Sequence, residues 1–166
     1  MKKKLLIGVL IVVAILGITL AFLVNKANNM KDEFTSFREE LDKDFFPLLK
    51  DTHKHFETVI QKGESYELQN WYLIEDDGMT SNLKYSRKIK DVRDRIVNTD
   101  VKNEDTLELK KNVLNSLSLM ESALKDINTF YGDDNSHLLW NTLSMDIEKL
   151  NQNIKKQNEI LGKYYK

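Results

Sequence analysis

The side chains with the most chemical potential in this sequence are three histidines, two acidic clusters and one run of basic residues. His53 and His55 stand two apart in a stretch of helical periodicity. On a helix they point about 200° apart, so they cannot hold one ion together. His53 and Glu57 have the i,i+4 spacing of a metal pair, but a site needs three or four ligands, and a surface ion pair is the simpler reading. His137 sits beside a helix start and reads as solvated. Glu75-Asp76-Asp77-Gly78 and Asp133-Asp134-Asn135 lack the alternating ligand spacing and the distant glutamate of a calcium loop, so turn chemistry accounts for them.

The basic run comprises Lys84, Arg87, Lys88, Lys90, Arg93 and Arg95, opposed by Asp91 and Asp94. It is the candidate contact for a polyanion such as anionic lipid headgroups or an acidic envelope polymer, against the alternative of a solvated helix face. There is no glycine-rich phosphate loop, no nucleophile elbow and no isolated carboxylate pair. Cysteine is absent, which removes disulfides, thiolate metal sites and a cysteine nucleophile. No catalytic, cofactor-binding or metal-binding residue is expected, and the chain does not read as an enzyme.

The elements carrying these residues are helical. Six glycines and one proline in 166 residues are too few for a turn-rich β architecture. Phe34, Phe37, Leu41, Phe45, Leu48, Thr52, Phe56 and Val59 recur at spacings of three and four, predicting one long helix over about 28–61. Pro47 should bend it or start a new segment. A short helix or turn is expected over 65–74, carrying Tyr66, Trp71 and Tyr72 as packing residues, before Asp76-Asp77-Gly78 breaks the chain.

Three further helices are expected. The first covers about 81–97 on Tyr85, Ile89, Val92 and Ile96, ahead of a polar loop over 98–105. The next covers 105–131 on Leu109, Val113, Leu117, Met120, Leu124 and Ile127. The last covers 137–165, capped by Ser136, on Trp140, Leu143, Ile147, Leu150, Ile154, Leu161 and Tyr164. One-sided helices are unstable alone, and packing their stripes together gives an all-α antiparallel bundle of about four helices with a long first helix.

Ahead of the bundle, residues 5–24 read LLIGVLIVVAILGITLAFLV, with Thr19 the one polar side chain. Twenty helical residues cover ~30 Å, the thickness of a bilayer's hydrocarbon core. The run exceeds the usual signal-peptide core of about 7–15 residues, so a retained transmembrane helix is expected over a cleaved signal. The chain thus divides into a tail (1–4), a membrane helix (5–24) and a helical domain (25–166). Lys2, Lys3 and Lys4 favour a cytoplasmic N-terminus and an extracytoplasmic domain in the cell membrane, although Lys26, Lys31, Arg38 and Lys43 lie on the other flank. Beyond residue 4 the chain holds 22 basic and 26 acidic residues. That balance does not fit a nucleic-acid partner.

Three blocks resemble the LemA family. LVNKANNMKDEF (23–34) is similar to its start after the membrane helix. FPLLKDTHKHF (46–56) matches a second block at Pro47, Leu49, Asp51, Thr52, Lys54 and Phe56. LWNTLSMDIEKLNQNIKKQNEILGKYY (139–165) matches the last helix at Leu139, Leu143, Leu150, Asn158, Glu159, Leu161 and Tyr164. Ala21-Phe22, Asp42-Lys43-Asp44 and Gln157 depart from the pattern, so the resemblance is to a divergent relative. It implies a membrane-anchored helical bundle and supplies no catalytic residues. The expected role is an interaction or scaffold module of the cell envelope, with the bilayer and a further protein as partners and the oligomeric state open. The alternatives are a sensory, ligand-binding bundle that signals through a partner, and an envelope-polyanion-binding protein.

Overall fold

A computed structural model describes residues 25–64, 68, 70–74, 77–129 and 136–164. The expected membrane helix at 5–24 and the 132–135 turn lie outside the described residues. Among those described, every regular element is helical. No described helix is long and apolar enough to cross a membrane.

The chain is already helical at residue 25. Helix α1 is described over 25–43, a single turn residue, Asp44, follows, and α2 covers Phe45–Glu64. Bonds from Asp44 N to Glu40 O (3.2 Å) and from Leu48 N to Asp44 O (3.4 Å) carry the helical ladder across the joint. Pro47 is the third residue of α2, in the first turn, where its missing N–H costs little. The proline therefore starts a helix, and the break falls three residues before it. All eight residues of the expected α1–α2 stripe are buried.

A π-helical turn at Asn70–Ile74 leads to α3, Asp77–Asn98. Here one expectation is corrected: Asp77 and Gly78 do not break the chain but open α3. Gly78 is buried, and a Cβ there would lie 2.7 Å from Tyr72 and 2.8 Å from Trp71. The glycine lets α3 approach the two aromatic rings; it does not make a turn.

Residues 99–103, without regular secondary structure, pack as a strap along α1. Thr99 donates its hydroxyl to Glu40, and the Lys102 and Asn103 backbone N–H groups both donate to Glu33 Oε1 at 3.0 and 2.8 Å. Val101 and Asn103 are buried, so the segment that reads as a polar loop is a packed connection. Lys110 reaches back to the carbonyls of Val97 and Thr99, covering orphan acceptors at the end of α3. Helix α4, Glu104–Thr129, begins on the Asn103 side chain, whose Oδ1 accepts from Asp105 N at 3.0 Å as an N-cap. Helix α5 is Ser136–Gly162.

Cross-helix pairs give the topology. His55–Asn82 and Asp44–Arg95 set α3 antiparallel to α1–α2. Ser116–Gln157 and Asp105–Lys163 set α5 antiparallel to α4. Tyr164 returns to the start of the bundle and stacks on Phe34, with centroids 3.8 Å apart. The result is an up-down bundle whose first helix is α1 and α2 joined nearly end to end.

Candidate functional site

Two buried polar regions stand out. The first joins α2, the π-helical turn, α3 and α4 around Asn82, which is fully buried. Asn82 Nδ2 lies 2.8 Å from the Leu124 carbonyl and 2.8 Å from Asn128 Oδ1. A backbone carbonyl can only accept, so the orientation of the amide is fixed by chemistry and its oxygen must face His55 Nε2, at 3.0 Å. His55 Nε2 therefore carries a proton and donates. Tyr72 closes the network by donating to Asn128 Oδ1.

Around this hub His55 packs against Phe56, Trp71 and Tyr85, with ring centroids 5.2–6.3 Å apart. Burial lowers the His55 pKa, partly opposed by its bond to Asn82. Burial likewise raises that of the Tyr72 hydroxyl. The imidazole is thus held neutral, with Nε2 committed as a donor inside the core. That arrangement suits a structural hub, because Nε2 is fixed against Asn82 inside the core.

The second region is the α4–α5 interface. The expected α5 stripe is rotated from the observed one. Leu143 and Leu150 are buried as expected, but Ile147, Ile154 and Leu161 are only partly covered. The buried row is Leu143, Asp146, Leu150, Asn153, Gln157 and Ile160, a 3–4 spacing in which three of six side chains are polar. Gln157 Nε2 donates to the buried Ser116 hydroxyl at 2.9 Å. Asp146 Oδ2, Asn153 Nδ2, Gln157 Oε1 and, on α4, Asp126 Oδ2 are buried with no protein partner. Asp146 holds Lys149 through its other oxygen at 3.6 Å. Burial, with the neighbouring Asp146 charge, raises the Asp126 pKa, against a smaller opposing effect of Lys125.

Two of the six basic residues of α3 are ion-paired. Arg93 pairs with Glu121 on α4, and Arg95 pairs with Asp44 at 3.1 Å. Lys84, Arg87, Lys88 and Lys90 are exposed. Lys88 shares a cleft between α2 and α3 with Asp51 and Asp91, so its surroundings are of mixed charge. His53 Nδ1 lies 3.4 Å from Glu57 on the surface. No group of three or more histidines and carboxylates that could hold a metal occurs among the described residues. The side chain of His137 lies outside them, as do Glu75 and Asp76.

The sequence reading missed Asn82, Asp146, Asn153 and Gln157. A signal for each was present in the spacing. Gly78 and Asn82 extend the row of Tyr85, Ile89, Val92 and Ile96 upstream without a change of period, and the α5 polar residues fall three or four from Leu143, Leu150 and Ile160. No family model, curated protein or solved structure matches the chain.

Proposed function

We propose that this chain is a non-enzymatic, single-pass membrane-anchored interaction module, its bundle held on the extracytoplasmic face of the cell membrane. The observation that carries the reading is the position of α1. Residue 25, directly after the apolar run 5–24, is already helical. The anchor would lead into the first bundle helix with no intervening linker. Phe34, where Tyr164 closes the bundle, is ten residues beyond Val24, about 15 Å along a helix axis. The bundle base would then stand against the bilayer surface in a fixed orientation.

The His55–Asn82 hub supports a structural role for its buried polar groups, since it ties α2, the π-helical turn, α3 and α4 together. The LemA-like blocks point the same way, toward an anchored bundle without catalytic residues. Partner binding is tested by in-cell photocrosslinking from exposed bundle positions. A discrete crosslinked protein species is expected, and only self-adducts or random adducts would overturn the reading. Protease accessibility of the domain in intact cells tests its side of the membrane, and full protection would place it inside.

A second reading, binding of an envelope polyanion, rests on Lys84, Arg87, Lys88 and Lys90 all being exposed on α3. Replacing Lys84, Arg87, Lys88 and Lys90 by Glu should abolish retention on an immobilised polyanion. Unchanged retention sinks this second reading alone.

A further inference from the structure

We propose that α5 is a releasable helix, clasped to the bundle at its C-terminal end and able to part from α4 along the polar seam above the clasp. The proposal rests on the reading of the chain as an interaction module and supplies its moving part.

The clasp is dense. Tyr164 stacks on Phe34 at an interplanar angle of 10° and donates its hydroxyl to Asp105 Oδ2 at 3.0 Å. Lys163 Nζ reaches Asp105 Oδ1 at 2.6 Å. Asn103 Nδ2 lies 3.4 Å from the Tyr164 oxygen and 3.2 Å from the Met30 carbonyl, so one cap residue ties α1, α4 and α5 together. The clasp sits where α1 enters the described fold, the end nearest the expected anchor.

Away from the clasp the interface changes character. Gln157 makes the bond to Ser116, yet its carbonyl oxygen and the Asn153 amide one turn further along have no protein partner. Further still, Asp126 and Asp146 face each other as like charges across the two helices, each with a buried oxygen that nothing in the protein satisfies. Buried polar groups without partners penalise the closed arrangement and are relieved when water reaches them. An opening that begins at the Asp126–Asp146 end recovers that hydration while keeping the clasp intact. Segments of low local stability open in this way without global unfolding.

Parting would uncover Leu143 and Leu150 on α5, which are almost fully buried when the bundle is closed. These leucines, interleaved with amide side chains, would form an amphipathic row for a partner helix. The clasp would keep the opened helix tethered to the bundle.

The absence of cysteine allows a direct test in the full chain. Spin labels are placed at Ser122→Cys and Ser144→Cys, both exposed and beside the acidic end, with a control pair at Glu108→Cys and Glu159→Cys near the clasp. In nanodiscs the first pair should show a second, longer distance population and the control pair a single narrow one. Hydrogen exchange of the unlabelled chain should give α5 amides over 143–153 protection about tenfold or more below those around His55 and Asn82. Replacing Asp146, Asn153 and Gln157 together by Leu should remove the longer population and raise protection across α5. A single narrow distance for both pairs, exchange of α5 in step with the whole bundle, or a triple variant that opens as before would overturn the proposal. None of these results depends on a partner, so failure here leaves the interaction-module reading to be decided by crosslinking.

Discussion

The His55–Asn82 hub and the α4–α5 seam bury similar polar chemistry with opposite outcomes. At the hub, Asn82 donates to Leu124 O and Asn128 and accepts from His55, and Tyr72 completes the circuit. Four elements are fixed to one another by groups that would each be costly to leave alone. In the seam, three buried polar side chains of α5 face α4, and each carries an atom without a protein partner. A satisfied buried network specifies one arrangement, and a half-satisfied one weakens the arrangement it sits in. The same residue type therefore works as a rivet in one place and a weak point in the other. The difference lies in whether neighbouring elements offer complementary groups.

The largest expected effect tests the hub. Asn82→Leu removes the acceptor for His55 Nε2–H, leaving that donor buried and unpaired, and takes away the amide that ties α3 to the Leu124 carbonyl and Asn128 on α4. A loss of about 3 kcal/mol or more is expected, read as a lower thermal midpoint of the full chain in detergent. If Asn82→Leu proves as mild as Asn153→Leu, the contrast between the two regions collapses. Asn153→Leu is expected to be neutral or stabilising, because it replaces an unpartnered donor by an apolar side chain between Leu150 and Ile160.

Gly78→Ala comes next. The added Cβ would meet ring carbons of Tyr72 and Trp71 at under 3.0 Å, so α3 or the π-helical turn must shift. Alanine's better helix propensity offsets part of the strain, and a net loss of about 1–2 kcal/mol is expected. The shift should also disturb Tyr72 and through it Asn128, visible as a change in tryptophan and tyrosine near-UV dichroism. An unchanged dichroic spectrum would show that the hub does not depend on this close approach.

The legible part of the fold was the part governed by apolar periodicity. Every residue of the α1–α2 and α4 stripes named from spacing is buried, because those rows are apolar and there is little competition over which face turns inward. The α5 row was misplaced for the converse reason. Its apolar residues fall on two adjacent rows, 143–150–160 and 147–154–161, and the row between α5 and α4 is half polar. A hydrophobicity pattern follows the apolar residues and gives no weight to Asn153 or Gln157. Gly78 was misread because glycine after two aspartates is a turn signal in one dimension. Its reason is a close contact with Trp71 and Tyr72, which no local pattern encodes. The basic run was legible as composition, but the ion pairs that Arg93 and Arg95 make with Glu121 and Asp44 were not.

The pH dependence separates the two regions by sign. His55 has its folded-state pKa lowered by burial. Its neutral form is favoured in the fold, so the hub's contribution is complete above the ordinary imidazole range. It is lost as pH falls through that range, where the unfolded chain takes up the proton first. His55→Gln retains a side-chain N–H that can reach Asn82 and should flatten the stability profile between roughly pH 7 and 5. Thermal melts across that window test it, and an unchanged slope would remove His55 as the titrating group.

The smallest effect is expected at the seam and runs the other way. Asp126 has its folded-state pKa raised, first by burial and then by Asp146. Its ionisation therefore opposes folding. The penalty is absent at pH values below the ordinary carboxylate range, where the group is protonated folded or unfolded, and complete above the raised folded value. Asp126→Asn keeps the shape and removes the charge. It should be slightly more stable than the natural chain at neutral pH, and the gain should vanish as the medium is acidified through the carboxylate range. Asp146→Asn should be less favourable, because it also gives up the ion pair with Lys149. If Asp126→Asn is destabilising at neutral pH, its carboxylate is satisfied in solution, and the seam is held at its acidic end as firmly as the hub.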